Sequence, residues 1–143
     1  MVTWKTNIET AHTVLIISDQ PETTASWSTL FNQRNCIVLS ESERSDAVQS
    51  ARLMDPSLLV VDIQLNKAER AAFLQELRAA ARGPILMLIS ANTVEEIVEA
   101  NRTGADECLV KPVNAAVLVI KAMAWLGHGH RSDRISSSVS VTL

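Results

Sequence analysis

Five short apolar runs, each followed by a stretch with helical spacing, constrain the fold of this chain more than any other feature. The runs are TVLIIS at 13–18, CIVL at 36–39, LLVVD at 58–62, ILMLIS at 85–90 and ECLV at 107–110. Apolar, largely β-branched runs of this length, without polar alternation, read as strands buried on both faces. Helices are expected over about 21–33, within 41–54, and over 67–81, 93–102 and 114–126. Trp27, Leu30 and Phe31 mark the period of the first, Ala47, Val48, Ala51 and Met54 that of the second, and Ala71, Leu74, Leu77 and Arg78 that of the third. Pro21 suits a first helical turn after a cap at Asp19 or Gln20. Asp55-Pro56 stops the second helix, Gly83-Pro84 the third, and Gly104 suits a left-handed cap on the fourth. Strand and helix alternate with crossovers long enough for right-handed βαβ units, so the expected class is a doubly wound α/β fold around a five-stranded parallel sheet.

The 143 residues fit one domain, with no room for a second, enzymatic one. A net charge of -3 argues against a strong sequence-independent pull on nucleic acid phosphates, so direct nucleic acid binding is not expected. Residues 1–12 lack the apolar core of an export signal, and AAVLVIKAMAWL at 115–126 is too short for a bilayer and carries Lys121. A cytoplasmic chain without membrane contact is the expectation. Cys36 and Cys108 sit in apolar strands, where reduced thiols are expected.

In a doubly wound fold, ligands gather beyond the carboxyl ends of the strands. The residues there are Ser18-Asp19, Asp62, Ser90 and Lys111-Pro112. An acid, a second acid, a hydroxyl and a lysine would converge if the strand order is 2-1-3-4-5, the flavodoxin-like arrangement. At this point GADECLVKP, VVDIQL and LISAN together make the chain, over about 13–126, resemble the receiver domains of two-component response regulators. The domain is then expected at 13–127, between an N-terminal extension at 1–12 and a polar tail or linker at 128–143.

The resemblance implies a phosphorylation switch, and elementary chemistry supports it. A carboxylate fixed at a strand end can attack a phosphoryl group and form an acyl phosphate, provided a cation offsets the crowded negative charge. Asp62 is the expected phosphoacceptor. Mg²⁺, which prefers oxygen ligands and takes one or two protein carboxylates, would be held by Asp19 and Asp62, with the backbone carbonyl of Gln64 implied by the resemblance. Ser90 and Lys111 would each bind a phosphoryl oxygen. The resemblance further implies a histidine kinase or phosphotransfer protein as phosphodonor, a cis peptide before Pro112, and a water path bordered by Gln64 and Asn92.

Four positions depart from the family pattern. Ser18 stands where an acid is usual, which predicts weaker Mg²⁺ affinity. Asn66 and Arg70 stand where a proline and a glycine are usual, so the turn after Asp62 need not be shared. Cys108 replaces an aromatic residue that ordinarily couples the hydroxyl to the output face. The alternative is therefore a pseudo-receiver, an interaction module independent of phosphorylation. A flavin protein of similar topology is disfavoured, because no Ser/Thr/Gly-rich phosphate-cradling loop follows the first strand.

The last helix has two apolar stripes. Leu118, Ala122, Trp125 and Leu126 suit the sheet, whereas Val117, Ile120 and Ala124 form a second face. The fourth and fifth helices commonly form the partner face of receivers, so a homodimer or protein partner is expected there. The internal rival is the tail, whose Ile135, Val139, Val141 and Leu143 would cover the stripe. His128 and His130 lack other ligands at metal spacing, and a flexible tail is the expectation.

Overall fold

Helices on both sides of a parallel sheet explain why its central strands are apolar without alternation. The computed structural model describes residues 11–127. Among these, five strands alternate with five helices: β1 (His12–Ser18), α1 (Pro21–Asn32), β2 (Cys36–Glu41), α2 (Arg44–Met54), β3 (Leu58–Asp62), α3 (Lys67–Ala80), β4 (Ile85–Ile89), α4 (Val94–Arg102), β5 (Glu107–Val110) and α5 (Ala115–Gly127). All pairings are parallel and the order is β2-β1-β3-β4-β5. This is the doubly wound, flavodoxin-like fold that the alternation implies. The order reverses between β1 and β3, so the crevice at that switch point lies beside the ends of these two strands.

Successive residues of each central strand face opposite sides. Leu15, Ile17, Leu59, Val61, Met87 and Ile89 pack on one side with Ala47, Val48 and Ala51 of α2, Phe73, Leu74 and Leu77 of α3, and Ala100 of α4. Val14, Ile16, Leu58, Val60, Leu86 and Leu88 pack on the other with Trp27 and Phe31 of α1 and Leu118, Val119, Ala122 and Leu126 of α5. Each buried Val, Leu, Ile, Phe or Met contributes roughly 1.5–3 kcal/mol, so the strand ends that carry the candidate site are anchored from both faces. The edge strands β2 and β5 lack this double cover and are only partly buried.

Several local expectations need correction. Met54 continues the period of α2 but is 54% exposed, because the helix is ending there: Asp55 takes a left-handed conformation at φ 42°. Its carboxylate accepts hydrogen bonds from the backbone N–H and guanidinium of Arg82, which hold it below the usual carboxylate range. Arg78 follows the period of α3 for a polar reason. Its guanidinium pairs with Asp106 at 2.6 Å, and Asp106 also accepts from the Ile85 N–H, which ties the start of β5 to β4. α3 ends on Ala81 in an extended conformation, ahead of the expected stop at Gly83-Pro84. Gly83 is needed for a different reason: a Cβ there would lie 2.4 Å from the Pro56 carbonyl oxygen, a backbone atom with no room to retreat. Gly104, at φ 118°, does close α4 as expected. β2 runs two residues further than its apolar run, to Glu41, whose carboxylate accepts from Ser50.

On α5, Val119 joins the buried stripe and Trp125 is half-buried, donating its indole N–H to Glu107 at 2.7 Å. Cys36 and Cys108 are free thiols, and burial pushes both above the usual range. No helix among the described residues is long and apolar enough to cross a membrane. The expectations for residues 1–10 and for the tail, including His128, His130, Ile135, Val139, Val141 and Leu143, lie outside the described residues.

Candidate functional site

Asp62 closes a strand whose five residues are all buried, and it stays buried itself at 5% exposure. Parallel register places it beside Ser18, the last residue of β1. A charge in that position needs compensation, since an isolated buried carboxylate is costly. Lys111 supplies it, with Nζ 2.5 Å from Oδ1 of Asp62. That oxygen makes no hydrogen bond, so its contact with Lys111 is an ion pair without hydrogen-bond alignment. The lysine starts just past β5, two strands away from β3, and must span roughly 10 Å of sheet. Its four-carbon stem is suited to that reach. The lysine backbone is fixed by donation of its N–H to Ile89 O at 2.8 Å, and the Lys111–Pro112 peptide is cis, as the resemblance implied.

The remaining expected residues arrange around this pair. Asp19 follows β1 and is exposed, Ser90 follows β4 and is exposed, and Gln64 lies exposed two residues past Asp62. A cavity of about 60 Å³ opens on the Lys111 side, lined by Gln64, Arg70, Ser90 and Lys111 over apolar Leu65 and Met87. Asp62 and Asp19 are not part of that lining. The volume suits a phosphoryl-sized group and is far below the roughly 300 Å³ or more of sites for larger ligands, which disfavours a flavin.

Two departures acquire structural roles. Ser18 is 4% exposed and its Oγ accepts from the Gln20 N–H at 3.1 Å, so the hydroxyl shapes the turn that presents Asp19. Asn66 caps α3 in a reciprocal box, accepting from Glu69 N at 2.8 Å while its own N–H donates to Glu69 Oε1 at 3.0 Å. A capped helix start thus stands where a proline turn is usual. α4 is anchored in a similar way beyond Ser90: Thr93 Oγ1 accepts from Glu96 N, and the Asn92 N–H donates to Glu96 Oε1.

Sequence reasoning marked Arg70 only as a departure in a turn. The structure places it on the fourth residue of α3, half-buried, in the same cavity as Ser90 and Lys111, and near enough to Cys108 for its charge to oppose the rise caused by burial of that thiol.

Comparisons with known proteins agree with this geometry. The model of the response regulator receiver domain matches residues 14–123. The transcriptional regulatory protein HprR of Escherichia coli is 28% identical over 139 residues, covering 89% of this chain and 62% of that protein. The transcriptional regulatory protein CpxR of Klebsiella pneumoniae is 30% identical over 123 residues, covering 85% and 52%. The chain thus spans about half to three fifths of the length of these relatives. Among solved structures, the receiver domain of Francisella response regulator 1452 superimposes with a TM-score of 0.73 at 19% identity, covering 82% of this chain and 98% of that one. A two-component response regulator from Clostridium difficile gives 0.72 at 20% identity, covering 80% and 95%. The chain belongs to the response regulator receiver domain family, a family of signalling domains.

Proposed function

We propose that Asp62 accepts a phosphoryl group from a histidine kinase or phosphotransfer protein in the cytoplasm, and that the domain passes on the resulting state as a switch. The observation that carries this reading is the buried Asp62 carboxylate held against Lys111 at 2.5 Å with an oxygen that makes no hydrogen bond. A carboxylate oxygen of Asp62 attacks phosphorus of the donor phosphohistidine, the P–N bond breaks, and the imidazole leaves with the electron pair and is protonated by solvent. The product is an acyl phosphate. Lys111 offsets one phosphoryl oxygen and the Ser90 hydroxyl donates to another. Attack by water later returns the carboxylate and releases phosphate.

The donors fit Mg²⁺ in a reduced form. Among the described residues no three acidic, His or Cys side chains gather into a metal cluster, but Mg²⁺ typically needs only one or two carboxylates and keeps several waters. Asp19, Asp62 and the Gln64 carbonyl would hold it, and when bound it supplies charge neutralisation between donor and acceptor oxygens. Ser18, occupied with Gln20, adds no charge, so affinity below the family norm is expected. The test is intact mass after treatment with a small phosphodonor and Mg²⁺. One adduct supports the switch; none at high donor concentration leaves the pseudo-receiver.

Residues that border the expected water path should affect the lifetime of the acyl phosphate more than its formation. Replacing Gln64 or Asn92 by Ala is expected to change the dephosphorylation rate several-fold, with uptake little altered. Equal decay in both variants and the native chain would remove them from that path.

The partner surface is proposed on α4, β5 and α5. Val94, Val98, Val110, Val117 and Ile120 are all exposed there, with Ile120 at 68%. A second copy of the domain is the proposed occupant, meeting this face through an isologous contact. Ile120→Glu should then convert a dimer to a monomer, read as mass in solution, with the melting temperature of the monomer unchanged. Truncation after Gly127 should leave the dimer intact. An unchanged mass in Ile120→Glu excludes this face, and loss of the dimer on truncation assigns its cover to the tail.

A further inference from the structure

We propose that Arg70 is a second cationic ligand for the phosphoryl group on Asp62 and that it lowers the Mg²⁺ demand of a site in which Ser18 replaces an acid. The proposal rests on the phosphoacceptor reading. Arg70 lines the cavity that Ser90 and Lys111 share, and Lys111 joins that cavity to Asp62 through its ion pair. It is half-buried, yet among the described residues its guanidinium has neither an ion pair nor a hydrogen bond. Arg78, the other half-buried arginine among the described residues, is paired with Asp106, and the remaining arginines without an ion pair are exposed. A partly desolvated guanidinium with five donors and no acceptor gains most from an oxyanion arriving in the cavity, since bonds to charged groups are the stronger class.

Charge balance points the same way. Asp19 and Asp62 are offset by Lys111 and Arg70, so the fixed groups sum to about zero before phosphate arrives. With an acid at position 18 and glycine at position 70, three carboxylates would face one lysine, and a divalent cation would be indispensable to bring in a phosphoryl group. In this chain the guanidinium supplies part of that positive charge. It forks toward two oxygens, whereas Lys111 acts as a point charge. The capping box of Asn66 and Glu69 fixes the first turn of α3 and with it the origin of the arginine.

The full chain is titrated with Mg²⁺ in the presence of beryllofluoride, and the adduct on Asp62 is followed by ¹⁹F NMR. Arg70→Gln, which keeps a good helix former, is expected to raise the Mg²⁺ concentration for half-maximal adduct by roughly tenfold, as loss of one charge-assisted bond implies. Arg70→Lys should recover part of the shift, which also covers the case of a disturbed helix in the glutamine variant. Ser18→Asp in the native background should lower the half-maximal concentration, and in Arg70→Gln it should restore it toward the native value. A second arm uses Asp62→Ala and inorganic phosphate without donor. Arg70-dependent phosphate binding as tight there as in the native chain would make the cavity a free-anion site and overturn the proposal. The same half-maximal Mg²⁺ in Arg70→Gln and the native chain also overturns it, while the phosphoacceptor reading survives. Absence of an adduct in the native chain at every Mg²⁺ concentration removes both.

Discussion

Asp62→Ala is expected to take up no phosphoryl group from a small donor with Mg²⁺, where the native chain gains a single adduct by intact mass. The loss should be complete because Asp62 is the one buried carboxylate among the described residues. Asp19 is exposed, and Lys111 reaches across the sheet to Asp62. The variant should nonetheless fold. Truncation removes the buried charge, and the Lys111 side chain, 37% exposed, can turn its ammonium to water. A stability near or above that of the native chain would therefore accompany the loss of uptake, since the cost of burying the carboxylate disappears with it. An adduct of native yield in Asp62→Ala would mean that another residue is the acceptor and would sink the assignment.

Much of this site was readable because strands make position predictable. Asp62, Ser90 and Lys111 each follow an apolar run, so a sequence that fixes the strand ends also fixes which side chains leave the sheet together. Their convergence depended on the strand order, and β2-β1-β3-β4-β5, the order that the resemblance implied, brings the three to one edge. What was not readable depends on side-chain direction. Arg78 has the right spacing for an apolar stripe and turned out to clamp Asp106, a partner 28 residues away. Met54 has the same spacing and is exposed because a left-handed Asp55 ends the helix under it. Gly83 looks like a helix stop, and only the approach of the Pro56 carbonyl shows why it must lack a side chain. Arg70 was visible as a missing glycine but not as a cavity wall, since the turn before it had no family geometry to follow.

The largest stability loss is expected for Phe73→Ala, a residue that the spacing of Ala71, Leu74 and Leu77 leaves out of account. Phe73 is 1% exposed and packs in the cluster that joins α2, α3 and α4 to the sheet. Truncating a buried Phe to Ala typically costs about 3–5 kcal/mol, the larger share where the walls cannot collapse. The sheet residues of that cluster come from β1, β3 and β4, whose backbones are paired to neighbouring strands, so collapse must come from the helices alone. Against a total of roughly 5–15 kcal/mol for a domain, the loss is about a fifth of the stability at the least. Urea unfolding should show a lower midpoint with an unchanged slope. Function should respond differently. Asp62 and Lys111 are set by strand ends, whereas Phe73 and Arg70 share α3, so below its melting temperature the variant should still form the Asp62 adduct while requiring more Mg²⁺. A stability loss under about 1 kcal/mol would show that the helices close over the gap, because only collapse brings the cost so low.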